Sequence, residues 1–201
     1  MPRRKYRRNL PHVFPENTAI FITWRLRGSL PRGFELPIRK TPGLTAGEKF
    51  ARIDRALDHG GRGSLWLRDP RVAEEVCAII EYGSESGLKR FVLHEYVVMP
   101  NHVHVLMTPY DEVSKITQSI KGTAAREANM LLGRGGKTFW QDESYDHWCR
   151  DAKEFGRIRE YIAMNPVRAG LVATPQEWPW SSAHRRVRES QARAMAQPAP
   201  Q

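Results

Sequence analysis

Apolar and polar residues alternate strictly over 19–26 (AIFITWRL), with Ile20, Ile22, Trp24 and Leu26 on one face and Phe21, Thr23 and Arg25 on the other. A period of two predicts a strand with one well-buried face. Pro and Gly then recur through GSLPRGFELPIRKTPGL, which predicts a long loop over 27–46. Phe50, Ile53 and Leu57 return at helical spacing and predict a short helix over 47–58, which GGRG at 60–63 breaks. Asp69 as a cap and Pro70 in the first turn open a second helix through Tyr82, with the stripe Val72, Val76, Ile79 and Ile80. Residues 90–98 and 102–108 are β-rich runs joined by Met99-Pro100-Asn101, a connection short enough for an antiparallel hairpin. Helical spacing resumes over 112–132, with Val113, Ile116, Ile120, Ala124 and Leu131 inward and Lys115, Lys121 and Arg126 off the stripe. A further strand is predicted over 138–149, and a helix over 152–164 that stops at Asn165-Pro166. The Trp- and Pro-rich segment 171–183 reads as an ordered wrap over the core, and the polar, Ala- and Pro-rich tail as disordered or a frayed helix. Interleaved elements around a short-looped hairpin argue for an α+β fold with an antiparallel sheet rather than a parallel βαβ sheet. The domain boundaries implied are a basic arm at 1–18, one folded domain at 19–183, and a basic tail at 184–201.

Composition narrows the class. The 201 residues and 40% hydrophobic content suit one globular domain with tails. No apolar run approaches the roughly 20 residues that span a bilayer, so no membrane partner is expected. The basic N-terminus has no apolar segment behind it and does not read as a secretory signal. Two distant cysteines, Cys77 and Cys149, make neither a disulfide framework nor a Cys-x-x-Cys site, which suits a reduced cytoplasmic setting. Charge adds the first functional clue: 32 Lys and Arg against 22 Asp and Glu give a formal +10. The excess gathers at the ends, as Arg3, Arg4, Lys5, Arg7 and Arg8 and as Arg185, Arg186, Arg188 and Arg193. Such arms suit a polyanion, most often a nucleic-acid backbone.

Two stretches carry candidate chemistry. In YVVMPNHVHVLMTP, His102 and His104 are two apart on a predicted strand and so project from one face. Their rings can converge on one cation as a two-ligand half-site, or simply hydrogen-bond at the sheet surface. In EFGRIREYIAMNPVRAGLV, Phe155, Ile158 and Ile162 form the buried stripe, and Tyr161 falls at its edge. Arg157, Tyr161 and Asn165 lie four apart in one row, offering a guanidinium, a hydroxyl and an amide. These can serve as phosphate clamp, nucleophile and metal ligand; the plain reading is a core-boundary tyrosine and a helix stop. Arg168, just past the stop, is a further phosphate contact.

Together these stretches resemble the single-tyrosine HUH transposases, and among them most the REP-associated tyrosine transposases of the IS200-like group. RRNLPHVFPENTAIFITWRL, SIKGTAAREAN, FWQDESYDHWCRD and EWPWSSA extend the resemblance over roughly residues 5–183. It implies a central antiparallel sheet with packed helices, a ferredoxin- or RRM-like core. It implies that His102 and His104 bind Mg²⁺ or Mn²⁺, that Tyr161 is the nucleophile, and that Asn165 stands where relatives place a Gln or Asn as third ligand. Relatives with Gln there have a longer stem; the shorter Asn165 reaches less far, and a water can intervene.

The reaction so implied is cleavage and rejoining of single-stranded DNA at hairpin, REP-like sequences. The metal would polarise the scissile phosphate and Tyr161 would attack phosphorus, leaving a 5′-phosphotyrosine and a free 3′-OH. Arg157 is the expected cation beside the phenol, whose ordinary pKa is about 10. Lys115, Lys121, Arg126 and the N-terminal arginines would hold the hairpin backbone; Tyr6 and Trp140 are candidate stacking aromatics, with core packing an equal reading for Trp140. Two alternatives remain: a hairpin-binding protein without catalysis, and a water-using metal nuclease. Either a monomer or a homodimer fits the pattern.

Overall fold

Hydrogen bonding joins four antiparallel strands in the order β2-β3-β1-β4, with β1 at Ile20–Leu26, β2 at Phe91–Val98, β3 at His102–Pro109 and β4 at Trp140–Trp148. The computed structural model describes residues 17–30, 34, 45–59, 63–85 and 88–196. Most of the predicted loop at 27–46 and the basic arm with Arg3, Arg4, Lys5, Tyr6, Arg7 and Arg8 lie outside the described residues. Helices complete the chain: α1 at Ala46–His59, α2 at Pro70–Glu85, α3 at Val113–Leu131, α4 at Ala152–Ala163, the short α5 at Asn165–Arg168, and α6 at Ser182–Ala196. The expected α+β architecture is the one found, and the strand order is that of a ferredoxin-like core.

Period-two alternation decides which layer each residue joins. On one face, Ile20, Ile22, Trp24 and Leu26 of β1 and Val103, Val105 and Met107 of β3 meet α2 and α3. Val72, Val76 and Ile80 enter from α2, and Ile116, Ile120, Ala124 and Ala128 from α3. Leu131, expected inward, is instead exposed, because the stripe drifts around the helix and Ala128 takes the inner place. On the other face, Phe21, Val97 and Leu106 meet Ile162 of α4 and Trp178. Both faces of β1 are therefore covered, one more than its sequence suggested. Burying each large apolar side chain contributes about 1.5–3 kcal/mol.

A bulge in β2 sets its two halves in register. Leu93 pairs with Met107 while Glu95 pairs with Leu106, so His94 is the extra residue. The shift places Tyr96 in the α2–α3 layer and turns Glu95 and Val97 to the other side.

The Trp-rich segment wraps the end of β2 as expected. Val98 N–H donates to the Trp180 carbonyl, and Trp178 Nε1 donates to the Val98 carbonyl at 3.0 Å. Beyond it, residues 182–196 form a helix, the helical of the two readings of the tail and one that starts earlier than expected. Charge holds this helix in place: Arg186 binds the buried carboxylate of Glu95 at 2.9 Å, and Arg185 reaches Glu81 at 3.5 Å. Among the described residues, no helix is long and apolar enough to cross a membrane.

Candidate active site

His104 sits on the central strand β3, directly opposite Thr23 of β1 and Val97 of β2. His102 lies two residues earlier on the same face, opposite Arg25. Both imidazoles are fully buried. Each is oriented through Nδ1: Thr23 Oγ1 lies 2.7 Å from His104 Nδ1, and Asn101 Oδ1 lies 2.6 Å from His102 Nδ1.

Hydrogen-bond logic assigns the tautomers. Asn101 Nδ2 donates to the Leu57 carbonyl at 3.0 Å. A carbonyl can only accept, so the Asn101 amide cannot be turned over, and its oxygen faces His102. His102 Nδ1 therefore carries the proton, and Nε2 offers a lone pair. At His104, the Asn165 amide nitrogen donates to Nε2 at 3.2 Å, so Nε2 is the lone-pair atom there too. The two Nε2 atoms stand 3.0 Å apart. Burial pushes His102 down to about 3, with His104 beside it adding to the effect, so the imidazole stays neutral, which is its ligating form.

A carboxylate completes the cluster. Asp54 of α1 places Oδ1 3.1 Å from His104 Nε2 and 3.8 Å from His102 Nε2. Asp54 Oδ1 and Asn165 Oδ1 are both buried without a hydrogen-bond partner. Two imidazole nitrogens and the Asp54 oxygen thus converge, with the Asn165 amide nitrogen on His104 the one donor described among them. A cation among these atoms satisfies the set. The ligand atoms of Asp54, His102 and His104 lie within 4.8 Å of one another, so this group fits a metal ion. A cavity of about 60 Å³ beside His102, lined by Leu57, Arg68, Asn101, Ala169 and Leu171, has room for a few waters.

Tyr161 reaches the same place from α4. Asp151 caps that helix by accepting from Glu154 N–H at 2.7 Å, and the row Tyr161–Asn165 runs off its end. The Tyr161 hydroxyl donates to Asp54 Oδ2. Its ring stands edge-on to His104 and Phe21, with centroids 5.7 and 6.0 Å away. The cation against the phenol is Arg168, 4.0 Å above the ring, and not Arg157, which points outward from α4. Arg157 lies one turn before Tyr161, and Arg168 follows it on α5, past the turn at Met164, where its guanidinium reaches the ring.

The sequence brought forward His102, His104, Tyr161 and Asn165, and the structure gathers all four. Asp54, Asn101 and Thr23 were missed. For Asp54 a signal existed: it is four residues after Phe50 and three before Leu57, an acid on the apolar side of its helix.

The backbone-binding candidates are spread out. Lys115 is exposed and pairs with Glu112 at 3.1 Å, Arg126 pairs with Glu127 at 2.7 Å, and Lys121 donates to the Gln141 carbonyl at 2.9 Å. All three belong to α3, on the sheet face opposite the histidines. Trp140 is a core residue, edge-on to Trp24, and its Nε1 donates to the Lys121 carbonyl at 2.9 Å.

An HUH-type pair on a central strand, facing a tyrosine on a C-terminal helix, defines a class of DNA-processing proteins. Residues 65–165 match the family model described as transposase IS200-like, and the chain belongs to that family. It is 30% identical over 100 residues to the REP-associated tyrosine transposase of Escherichia coli (strain K12), covering 48% of this chain and 57% of that protein. It is 28% identical over 102 residues to the putative REP-associated tyrosine transposase of Haemophilus influenzae (strain ATCC 51907 / DSM 11121 / KW20 / Rd), covering 45% and 58%. The match thus spans little more than half the length of these relatives. A solved structure of the REP-associated tyrosine transposase bound to a REP hairpin shares the fold, with a TM-score of 0.58, 21% identity, and coverage of 92% of this chain and 87% of that one.

Proposed function

We propose that this chain is a metal-dependent DNA strand transferase that cuts and rejoins single-stranded DNA at hairpin, REP-like sequences, using Tyr161 as nucleophile. One observation carries the reading: a tyrosine hydroxyl is held at the rim of a buried cluster of metal-ligating atoms. Family membership and the hairpin bound in the solved relative support the substrate class.

His102 and His104, through Nε2, and Asn165, through its oxygen, would hold Mg²⁺ or Mn²⁺. When bound, such an ion supplies positive charge to a phosphodiester in transesterification. The residues of the chain do the rest. Thr23 and Asn101 keep the imidazole lone pairs aimed inward. Tyr161 attacks phosphorus; the bond to the 3′ oxygen breaks, and that oxygen takes up a proton as the 3′-OH. The phosphorus remains bonded to the tyrosine oxygen as a 5′-phosphotyrosine, so a second 3′-OH can reverse the step. Arg168 places a positive charge 4.0 Å above the phenol ring, beside the atom that attacks.

Labelled single-stranded hairpin DNA incubated with Mn²⁺ is expected to give a denaturation-resistant protein adduct. Tyr161→Phe is expected to abolish the adduct and keep hairpin binding. Cleavage that survives in Tyr161→Phe would show a water nuclease instead, and binding with no cleavage by the unsubstituted chain would show an inactive binder.

A further inference from the structure

The geometry points to Asp54 as a bridging residue: Oδ1 joins the two histidines as a ligand to the divalent ion, and Oδ2 holds the Tyr161 hydroxyl in line with it. The inference rests on the proposed roles of His102, His104 and Tyr161. It adds a residue from outside the region that matches the family model, since Asp54 precedes residue 65.

Four observations carry it. First, the two carboxylate oxygens divide their work: Oδ2 accepts from Tyr161, while Oδ1 is buried and has no donor. Second, Oδ1 faces two nitrogens whose lone pairs point back at it, at 3.1 and 3.8 Å. Acceptors this close repel unless a proton or a metal ion lies between them, and a divalent ion satisfies all three at once. Third, Asn165 contributes an amide on a short stem, and its nitrogen, not its oxygen, faces His104. A carboxylate is the stronger ligand for a hard divalent ion, and Asp54 supplies the negative charge that His102, His104 and Asn165 lack. Fourth, α1 is built to present this side chain. Phe50, one turn earlier, stacks on Tyr145 at 4.3 Å and meets Phe21 edge-on at 5.4 Å. Leu57, three residues later, is buried, and its carbonyl binds Asn101. Asp54 lies between these anchors and is 4% exposed. A solvent-facing acid would need none of this.

A carboxylate that touches both the ion and the nucleophile couples them. It would hold the phenolic oxygen in a fixed place relative to any ion the cluster binds, and positioning of that kind is worth large factors in rate.

Mn²⁺ alone, titrated into the full chain and followed by the electron paramagnetic resonance of the free ion, tests the ligand role. Asp54→Asn and Asp54→Ala are expected to weaken Mn²⁺ binding tenfold or more, and Asp54→Glu to recover part of it. Melting curves confirm that each variant is folded; Asp54→Asn preserves size and shape. At saturating Mn²⁺, Asp54→Asn is expected to slow adduct formation tenfold or more with hairpin affinity within twofold. A folded Asp54→Asn protein that binds Mn²⁺ as the unsubstituted chain does, and hairpin DNA more tightly, would overturn the proposal: the carboxylate would then be occupying the phosphate's seat. If instead His104→Ala also leaves Mn²⁺ binding unchanged, the metal-site reading fails as well, which separates the two failures.

Discussion

The side-chain amide of Asn101 spans two elements, donating to the Leu57 carbonyl of α1 and accepting from His102 on β3. Removing it leaves a buried Nδ1–H without an acceptor, at a cost of about 1–3 kcal/mol, and frees the ring to adopt the other tautomer. Asn101→Ala is therefore expected to weaken Mn²⁺ binding by about 10- to 100-fold, measured by metal titration. At this scale the sequence was legible where spacing rules apply. His102 and His104 share a face by strand period, and Tyr161 and Asn165 share a row by helix period. Thr23, Asn101 and Asp54 act across 81, 44 and 107 positions of chain, to His104, Leu57 and Tyr161 respectively. No local period reports such pairs; only the sheet register and the docking of α1 create them. Arg157 shows the same limit in reverse: its place in the row was right, but the fold of α5 put Arg168 at the phenol.

Among the elements, α1 opens with a reciprocal cap, Thr45 Oγ1 accepting from Glu48 N–H at 3.2 Å and Glu48 accepting from Thr45 N–H at 2.8 Å. It is followed by Gly63, which lies so close to the turn after β1 that a Cβ there would stand 2.6 Å from the carbonyl oxygens of Gly28 and Ser29. Backbone cannot yield as a side chain can. Gly63→Ala is expected to destabilise the protein by about 1–3 kcal/mol, read as a lower denaturation midpoint. The start of α4 is secured by Glu154, which accepts from Arg150 through its side chain at 2.8 Å and through its backbone N–H, and from His147 at 3.1 Å. Arg150 above all holds this carboxyl well below its ordinary value of 4.5. A depressed carboxyl stabilises the fold above its unfolded pKa, and the benefit fades as pH falls towards the folded one. Glu154→Gln is thus expected to lower the melting temperature by several degrees at pH 7, with the gap to the unsubstituted chain shrinking below about pH 4.5. Helices with broad apolar stripes were legible. Helix α6 was not, because it buries only Ser182 and Ala183 and is docked by arginines on Glu95 and Glu81, a pairing that leaves no hydrophobic period.

For the molecule as a whole, the formal +10 is partly spent internally. Arg185 and Arg186 of the C-terminal cluster serve the fold, while Arg188 and Arg193 stay exposed. The cations of α3 lie on the sheet face away from Tyr161, so a hairpin held by both surfaces would have to pass around an edge of the sheet. If about four phosphates are neutralised, single-stranded hairpin affinity is expected to fall about 50-fold between 50 and 200 mM salt, measured by equilibrium binding. A flat response would show that the charge serves something other than the nucleic-acid backbone. The bond from Asn101 to the Leu57 carbonyl has one more consequence at this scale. The protonation pattern of His102 is set by the backbone of a helix that also carries Asp54, so metal affinity and the docking of α1 are thermodynamically linked. Any fraction of molecules with α1 undocked raises the apparent dissociation constant in inverse proportion to the docked fraction. By the same linkage, Mn²⁺ should slow hydrogen exchange at the amides of α1 more than at those of α2, which makes the helix a reporter of what the histidines hold.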